Sequence, residues 1–286
     1  MISSTQNASA EAPYFNVFDF AYLWPSRASL YYFFYHPRSE QLLREPLRKY
    51  HHLQMLFSHA ELRGFMMGLK YKDAPEVTSV EGLKDARVRV TGTQLGRITM
   101  KLLGMQPLPV PWSDTLHALR TGAIDGAETW ASAVAYANMS PVVSQSVDLK
   151  FFCGTEHTSM SAKVFDGLEG YLQDAVMESS YLAQMAAQFA NEAALINTVG
   201  FSDPQKPGTI FANNGVRNAF LSPEALREAE EMCSPEFQPG PWNQWRERIN
   251  GWSGGLDTYT ETYNIAREIP ADMLVENVEP RRWWKG

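Results

Sequence analysis

Five side chains with the chemistry to bind a small organic anion occur between residues 89 and 130. They are one cation, one carboxylate, one hydroxyl and two indoles: Arg89, Glu128, Thr129, Trp112 and Trp130. A guanidinium presents a planar fork that matches a carboxylate, and an aromatic face can cover the apolar body of a ligand. We expect Glu128 to hold the Arg89 side chain in position while the site is empty. These residue types predict a binding site for a small carboxylate.

The surrounding pattern predicts a βαβαβ unit that would bring these side chains together. The predicted elements are, in order, a strand at 87–90, a break at Thr91-Gly92-Thr93 that caps a helix ending at Gly104, a strand at 107–111, a helix capped by Ser113 and ending at Gly122, and a strand at 123–126. Such units form parallel sheets, and ligands bind beyond the carboxyl ends of parallel strands. We therefore expect Arg89, Trp112 and the residues from Glu128 to Trp130 to lie at one edge of a sheet.

This stretch resembles the extracytoplasmic solute receptors of TRAP transporters, the DctP family. The resemblance is carried by the runs VEGLKDARVRVTGTQLG and PLPVPWSDTLHALRTGAIDGAET, in that order and spacing. It is strong from about residue 13 to 200. It implies an α/β, two-lobe, periplasmic-binding-protein-like fold, in which each lobe is a mainly parallel sheet flanked by helices and a long helix bridges the lobes. The implied lobes are 1–66 with 155–194 (lobe I) and 67–154 with 195–286 (lobe II, including the C-terminal tail).

The resemblance also implies roles for individual residues. Arg89 matches the arginine that grips the substrate carboxylate, Trp112 matches an aromatic that stacks on the ligand, and Glu128-Thr129 matches a Glu-Asn pair. Threonine in place of asparagine removes an amide that both donates and accepts hydrogen bonds. Together with the bulk of Trp130, this change predicts a ligand smaller or more apolar than a sugar acid.

Further candidates lie outside this stretch. The family carries a second arginine on a strand that crosses between the lobes, and the aligned register falls near Leu69 and Lys70, so Lys70 is the candidate replacement. Lobe I is expected to add polar groups to the ligand when the lobes close, and the candidates are Gln6, Asn7, Glu156 and His157. Glu156 and His157 also raise a different hypothesis, an acid–base pair.

Composition excludes several other functions. The formal charge of −7 argues against nucleic acid as a partner, because that interaction needs clustered lysine and arginine. No run of eighteen apolar residues is present. The adjacent His51 and His52 lack any metal-binding motif. Cys153 and Cys233 could form one bridge, but they are more typical of two buried thiols.

The N-terminus lacks the basic and apolar regions of a signal peptide. Residues 2–7 look like the end of a strand entering a loop, and the family carries further residues before this point. We therefore expect the first strands of lobe I to be absent from this chain.

The function implied by the resemblance is that of a non-enzymatic, monomeric, periplasmic receptor without a cofactor. It would trap an organic acid by hinge closure and deliver it to the small DctQ-type and large DctM-type membrane subunits. Two alternatives remain open at this stage. One is an enzyme on a related two-lobe scaffold that uses Glu156, His157 or Glu128, and the other is an extracytoplasmic sensory ligand-binding domain.

Overall fold

The chain divides into two compact units, each built from separate stretches of sequence. A computed structural model describes residues 2–91 and 93–285. Unit 1 comprises Met1–Glu61, Cys153–Asn191 and Trp242–Gly286, and unit 2 comprises Leu62–Phe152 and Glu192–Pro241. The α/β class predicted from the sequence is confirmed.

The elements follow one another closely along the chain. The strands are β1 (Ile2–Ser4), β2 (Leu53–Gly68), β3 (Arg87–Val90), β4 (Gln106–Pro109), β5 (Gly126–Thr129), β6 (Val143–Ser161) and β7 (Arg217–Phe220). The α-helices are α1 (Thr5–Glu11), α2 (Arg27–Tyr35), α3 (Glu45–His51), α4 (Gln94–Leu102), α5 (Trp112–Thr121), α6 (Ala131–Tyr136), α7 (Ala162–Asp166), α8 (Gly170–Ala194), α9 (Ile210–Asn213), α10 (Pro223–Cys233), α11 (Asn243–Trp252) and α12 (Thr258–Ile265).

The predicted βαβαβ segment is present in unit 2. Strand β3 pairs in parallel with both β4 and β5, and the strand order in this unit is β7-β6-β2-β5-β3-β4. Gly104 and Gly122, the predicted helix ends, have φ values of +78° and +71°, which side chains with a Cβ rarely adopt. Gly92, at the centre of the predicted break, lies outside the described residues.

Two local predictions in this segment are wrong. Helix α5 begins at Trp112 after Pro111, so Ser113 lies inside its first turn and does not cap it. Strand β5 begins at Gly126 and not at Ala123. The backbone of Ala123 and Ile124 instead bonds back to the carbonyl of Ala118 and closes the end of α5.

The sequence pattern predicts two separate strands at 53–57 and 62–70 and a strand at 146–153, and the structure has one long strand in each of these two regions. Strand β2 runs without interruption from Leu53 to Gly68, and β6 runs from Val143 to Ser161. Gly64 permits β2 to approach its neighbour, because a Cβ there would lie 2.7 Å from the carbonyl oxygen of Val147 on β6. Both strands and helix α8, the predicted long helix, contain a point where the chain passes from one unit to the other.

Unit 1 has an aromatic core that includes the C-terminal tail. Phe20 is fully buried, and its ring centroid lies 5.7 Å from that of Trp242 and 5.0 Å from that of Tyr259. Residues 195–286 were all assigned to lobe II, and that assignment is wrong for 242–286. The physical reason is this contact between the tail aromatics and the N-terminal segment.

The N-terminal prediction holds for only three residues. Strand β1 pairs antiparallel with β6 at Ile2–Ser4. The following residues form helix α1 and not a loop, because the side chain of Ser4 caps the backbone N–H of Asn7.

Candidate functional site

The carboxyl ends of the three parallel strands in unit 2 meet at one edge of its sheet. The shared register places Arg89 beside Leu108 of β4 and Ala127 of β5. Strand β2 runs antiparallel to β5, with Gly64 opposite Thr129. The residue before Gly64, which is Arg63, therefore arrives at the same edge. Four of the predicted site residues (Arg89, Trp112, Glu128 and Trp130) and one unpredicted arginine meet here through their contacts.

Arg89 is a buried cation whose hydrogen bonds go to neutral oxygens. Its side chain is 5% exposed. Its Nε donates to the carbonyl oxygen of Val110 at 3.1 Å, and one terminal nitrogen donates to the carbonyl oxygen of Glu128 at 3.4 Å. Burial lowers the pKa of Arg89; Glu128 acts to raise this pKa and Arg63 to lower it. Among residues 2–91 and 93–285, no carboxylate lies within ion-pair distance of Arg89.

The carboxylate of Glu128 is held by Arg63. Both side chains are buried, at 0% and 5% exposure. The Arg63 Nε donates to one carboxylate oxygen of Glu128, and a terminal nitrogen donates to the other at 2.8 Å and to the carbonyl oxygen at 3.2 Å. The expected role of Glu128 as the partner of Arg89 is thus corrected: its carboxylate binds Arg63, and only its main-chain carbonyl contacts Arg89.

An indole ring accompanies each guanidinium. The Arg89 guanidinium carbon lies 5.3 Å from the ring centroid of Trp112, and that of Arg63 lies 5.5 Å from the ring of Trp130. Trp112 is 38% exposed, so part of its surface remains open beside Arg89. Thr129 is buried at the end of β5. The arrangement offers a cation, Arg89, that has no counter-ion among the described residues, and an aromatic surface beside it.

Lys70 belongs to the opposite end of the strands. Its ammonium lies 3.3 Å from Asp125, and its side chain is 66% exposed. Asp125 immediately precedes β5 and also binds Arg87 at the start of β3. The prediction that Lys70 replaces a second arginine is therefore wrong. Because β2 runs antiparallel, its later residues move away from the carboxyl ends, and Arg63 occupies the position at the site.

His157 is part of the packed interior of unit 1. It has no exposed surface. One ring nitrogen contacts the hydroxyl of Ser58, and the other lies 2.8 Å from the hydroxyls of Thr5 and Thr155. Its ring stacks on Phe15 at 4.3 Å, and burial lowers its pKa to about 3. These contacts describe a neutral core histidine and not the predicted ligand contact.

Glu156 and His157 do not form an acid–base pair. They are neighbours on β6, where successive side chains point to opposite faces. The carboxylate of Glu156 lies 3.4 Å from His59 instead. This geometry removes the Glu156–His157 pair from the groups that the enzyme hypothesis invoked.

The two N-terminal candidates occupy the first turn of α1. Gln6 is buried and Asn7 is exposed. Their predicted contact with a ligand stays a prediction.

Two further properties concern the whole described chain. Within residues 2–91 and 93–285, no group of three histidine, cysteine or acidic side chains is placed to hold a metal ion. In the same ranges no helix has the length and apolarity needed to cross a membrane. Cys153 and Cys233 are both buried, and they do not form a disulfide with each other.

In open α/β sheets, ligands bind beyond the carboxyl ends of the parallel strands, and the buried Arg89 lies there in this chain. Residues 1–198 match the family of bacterial extracellular solute-binding proteins, family 7 (DctP). The chain belongs to this family, whose solved relatives are periplasmic receptors of TRAP transporters.

One curated relative is the ectoine-binding periplasmic protein TeaA of Halomonas elongata. It is 26% identical over 160 residues, which are 55% of this chain and 44% of TeaA. The matched part therefore spans less than half of that relative.

Solved structures extend the similarity across most of the chain. The periplasmic ectoine-binding protein of Halomonas elongata has a TM-score of 0.71 at 17% identity, covering 92% of this chain and 81% of the other. A TRAP periplasmic solute-binding protein from Ralstonia eutropha with bound (S)-2-acetolactate has a TM-score of 0.67 at 18% identity, covering 94% of this chain and 79% of the other. The sugar acid binding protein of Advenella mimigardefordensis with galactonate has a TM-score of 0.68 at 19% identity, covering 93% of this chain and 78% of the other. At these identities the comparison establishes the fold and not the ligand.

Proposed function

We propose that this protein is the periplasmic substrate-binding receptor of a TRAP-type transporter and that it captures a small organic acid by its carboxylate. Family membership supports the receptor role. The evidence for a carboxylate ligand is the Arg89 side chain. It is a buried cation that bonds only to carbonyl oxygens among the described residues. A buried charge is stable only when it is paired, and a ligand carboxylate would complete the pair.

The remaining site residues receive roles that follow from their positions. Trp112 covers the body of the ligand beside the carboxylate, and Trp130 with Thr129 closes the end of β5. Arg63 and Glu128 hold each other in place through their ion pair, and the carbonyl oxygen of Glu128 accepts a hydrogen bond from Arg89. We expect a binding protein and not an enzyme, because the chain belongs to a family of solute-binding proteins and the predicted Glu156–His157 pair does not form. Hinge closure and delivery to DctQ-type and DctM-type membrane subunits stay predictions of the family resemblance.

Thermal denaturation in the presence of a ligand panel tests the proposal. The panel contains unsubstituted, 2-oxo and 2-hydroxy monocarboxylic acids of three to six carbons, the dicarboxylic acid of each length, ectoine and galactonate. We expect at least one carboxylate to raise the Tm, to bind in calorimetry, and to be recovered chemically unchanged after incubation.

Arg89→Ala should weaken that binding by about 2–5 kcal/mol, on the order of thirtyfold to several-thousandfold. Arg89→Lys should also weaken it, because an ammonium lacks the fork. Binding that is as tight in Arg89→Ala as in the natural protein would contradict the assignment. Conversion of the ligand would contradict the receptor function.

A further inference from the structure

Three charged groups lie together at the proposed carboxylate site, and their charges do not sum to zero. Arg63 and Arg89 contribute two guanidiniums, and Glu128 contributes one carboxylate. Their exposed fractions are 4%, 5% and 0%. The main-chain carbonyl of Glu128 accepts a hydrogen bond from each arginine, at 3.2 and 3.4 Å, which ties the two cations to one peptide group. The cluster has one net positive charge.

We infer that the Arg63–Glu128 ion pair sets the ligand charge that this site accepts, so that a monocarboxylate is favoured over the dicarboxylate of the same length. The inference rests on the proposed function, because it concerns the selectivity of the same carboxylate site. Arg89 supplies the single charge that a ligand neutralises. Arg63 is already neutralised from within the protein.

A second ligand carboxylate has no equivalent partner in this cluster. Arg63 is engaged at both carboxylate oxygens of Glu128 and at its carbonyl oxygen. An approaching anion would have to displace Glu128 or lie beside it, and two carboxylates in a desolvated site repel each other. Displacement would in turn leave Glu128 buried without a partner, which is strongly unfavourable.

The pair of tryptophans points to the same selectivity. Each indole lies against one guanidinium, Trp112 against Arg89 and Trp130 against Arg63. The surface that continues from Arg89 is therefore aromatic and suits an apolar ligand body. A second charged end placed against these rings would lose its hydration without meeting another unpaired guanidinium of this cluster.

Two variants separate charge selection from a merely structural role. Glu128→Gln raises the net charge of the cluster to two, since Arg63 loses its counter-ion. The double variant Arg63→Gln, Glu128→Gln returns the net charge to one while removing the ion pair. Calorimetry with matched acids, such as butanoate against succinate, 2-oxobutanoate against oxaloacetate and 2-hydroxybutanoate against malate, gives the affinity ratio for each protein. Thermal denaturation without ligand confirms that each variant is folded at the assay temperature.

The natural protein should bind the better monocarboxylate at least about tenfold more tightly than its dicarboxylate. Glu128→Gln should reduce this ratio at least about tenfold or reverse it, and the double variant should restore it even if both affinities fall. Equal binding of both acids by the natural protein overturns the inference and leaves the receptor function intact. The inference is also overturned if the ratio of monocarboxylate to dicarboxylate affinity does not fall in Glu128→Gln and recover in the double variant. If no acid of these pairs or of the wider ligand panel binds, the proposed function fails and this inference fails with it.

Discussion

The same substitution at the two arginines of the site should have different effects on the stability of the protein. Arg63→Met would leave the Glu128 carboxylate, which is 0% exposed, without its partner. Removing one partner of a buried ion pair typically costs about 3–5 kcal/mol. At about 2–4 °C per kcal/mol for chains of 150–250 residues, we expect the Tm without ligand to fall by on the order of 10 °C.

Arg89→Met removes a buried cation that has no carboxylate of its own among the described residues. The variant loses two hydrogen bonds to carbonyl oxygens, each worth about 1.5–3 kcal/mol when the donor is charged. It also loses the desolvation cost of the guanidinium, which is several kcal/mol. These contributions nearly cancel, so we expect the unliganded Tm to change by only a few degrees while carboxylate binding is lost.

Scanning calorimetry of the two variants and the natural protein, with and without a bound acid, measures both effects. Near-ultraviolet circular dichroism serves as a control for the packing of the tryptophans. The reasoning fails if Arg63→Met melts at the temperature of the natural protein. It also fails if Arg89→Met is the less stable of the two variants.

Three further predictions concern the rest of the molecule. Gly64→Ala should lower the free energy of unfolding by about 1–3 kcal/mol in urea denaturation, because the added Cβ meets a main-chain carbonyl at 2.7 Å; Gly251→Ala, where no atom lies within 4 Å, is the matched control and should be neutral or stabilising. The pKa of His157 is lowered to about 3 from 6.5, so its contribution to stability is complete above pH 6.5 and falls by up to about 1.4 kcal/mol per pH unit as the pH drops towards 3. The free energy of unfolding, measured by urea denaturation between pH 7 and 5, should therefore depend less on pH in His157→Gln than in the natural protein. Burial raises the pKa of both Cys153 and Cys233, so a thiol reagent should label neither in the native protein and both in urea, and rapid native labelling would contradict their burial.

The sequence predicted the parallel segment well because its signals are local. Alternation of Val88 and Val90 marks β3, and two glycines with positive φ end the helices that follow. The positions of Arg89 and Trp112 follow from the rule that parallel strands end at one edge. The structure has these two side chains in contact, with the guanidinium carbon of Arg89 5.3 Å from the ring centroid of Trp112.

Arg63 was missed because its role depends on a long strand that the local pattern divides. Residues 58–61 interrupt the apolar pattern of β2, and the strand continues there because unit 1 supplies partners to its backbone: Gln184 bonds to Ser58, and the hydroxyl of Tyr31 bonds to Ala60. With β2 divided, the register was placed six to seven residues too late, at Leu69 and Lys70. A charged residue directly before a glycine in an apolar strand was the available signal.

His157 illustrates the opposite error, in which a reactive residue type was given a functional role. Its partners Ser58, Thr5 and Thr155 come from three separate segments of the chain. No spacing along the sequence indicates that they converge. Only the packed fold distinguishes a satisfied core histidine from one that meets a ligand.

The tail contact in unit 1 has a consequence for how the protein is made. Phe20 is synthesised more than two hundred residues before Trp242 and Tyr259, the rings that bury it. Because a ribosome releases the chain from its N-terminus onward, these two rings cannot cover Phe20 before residues 242–259 have been synthesised. Unit 1 therefore cannot complete its native core before its third segment, which begins at Trp242, has been made.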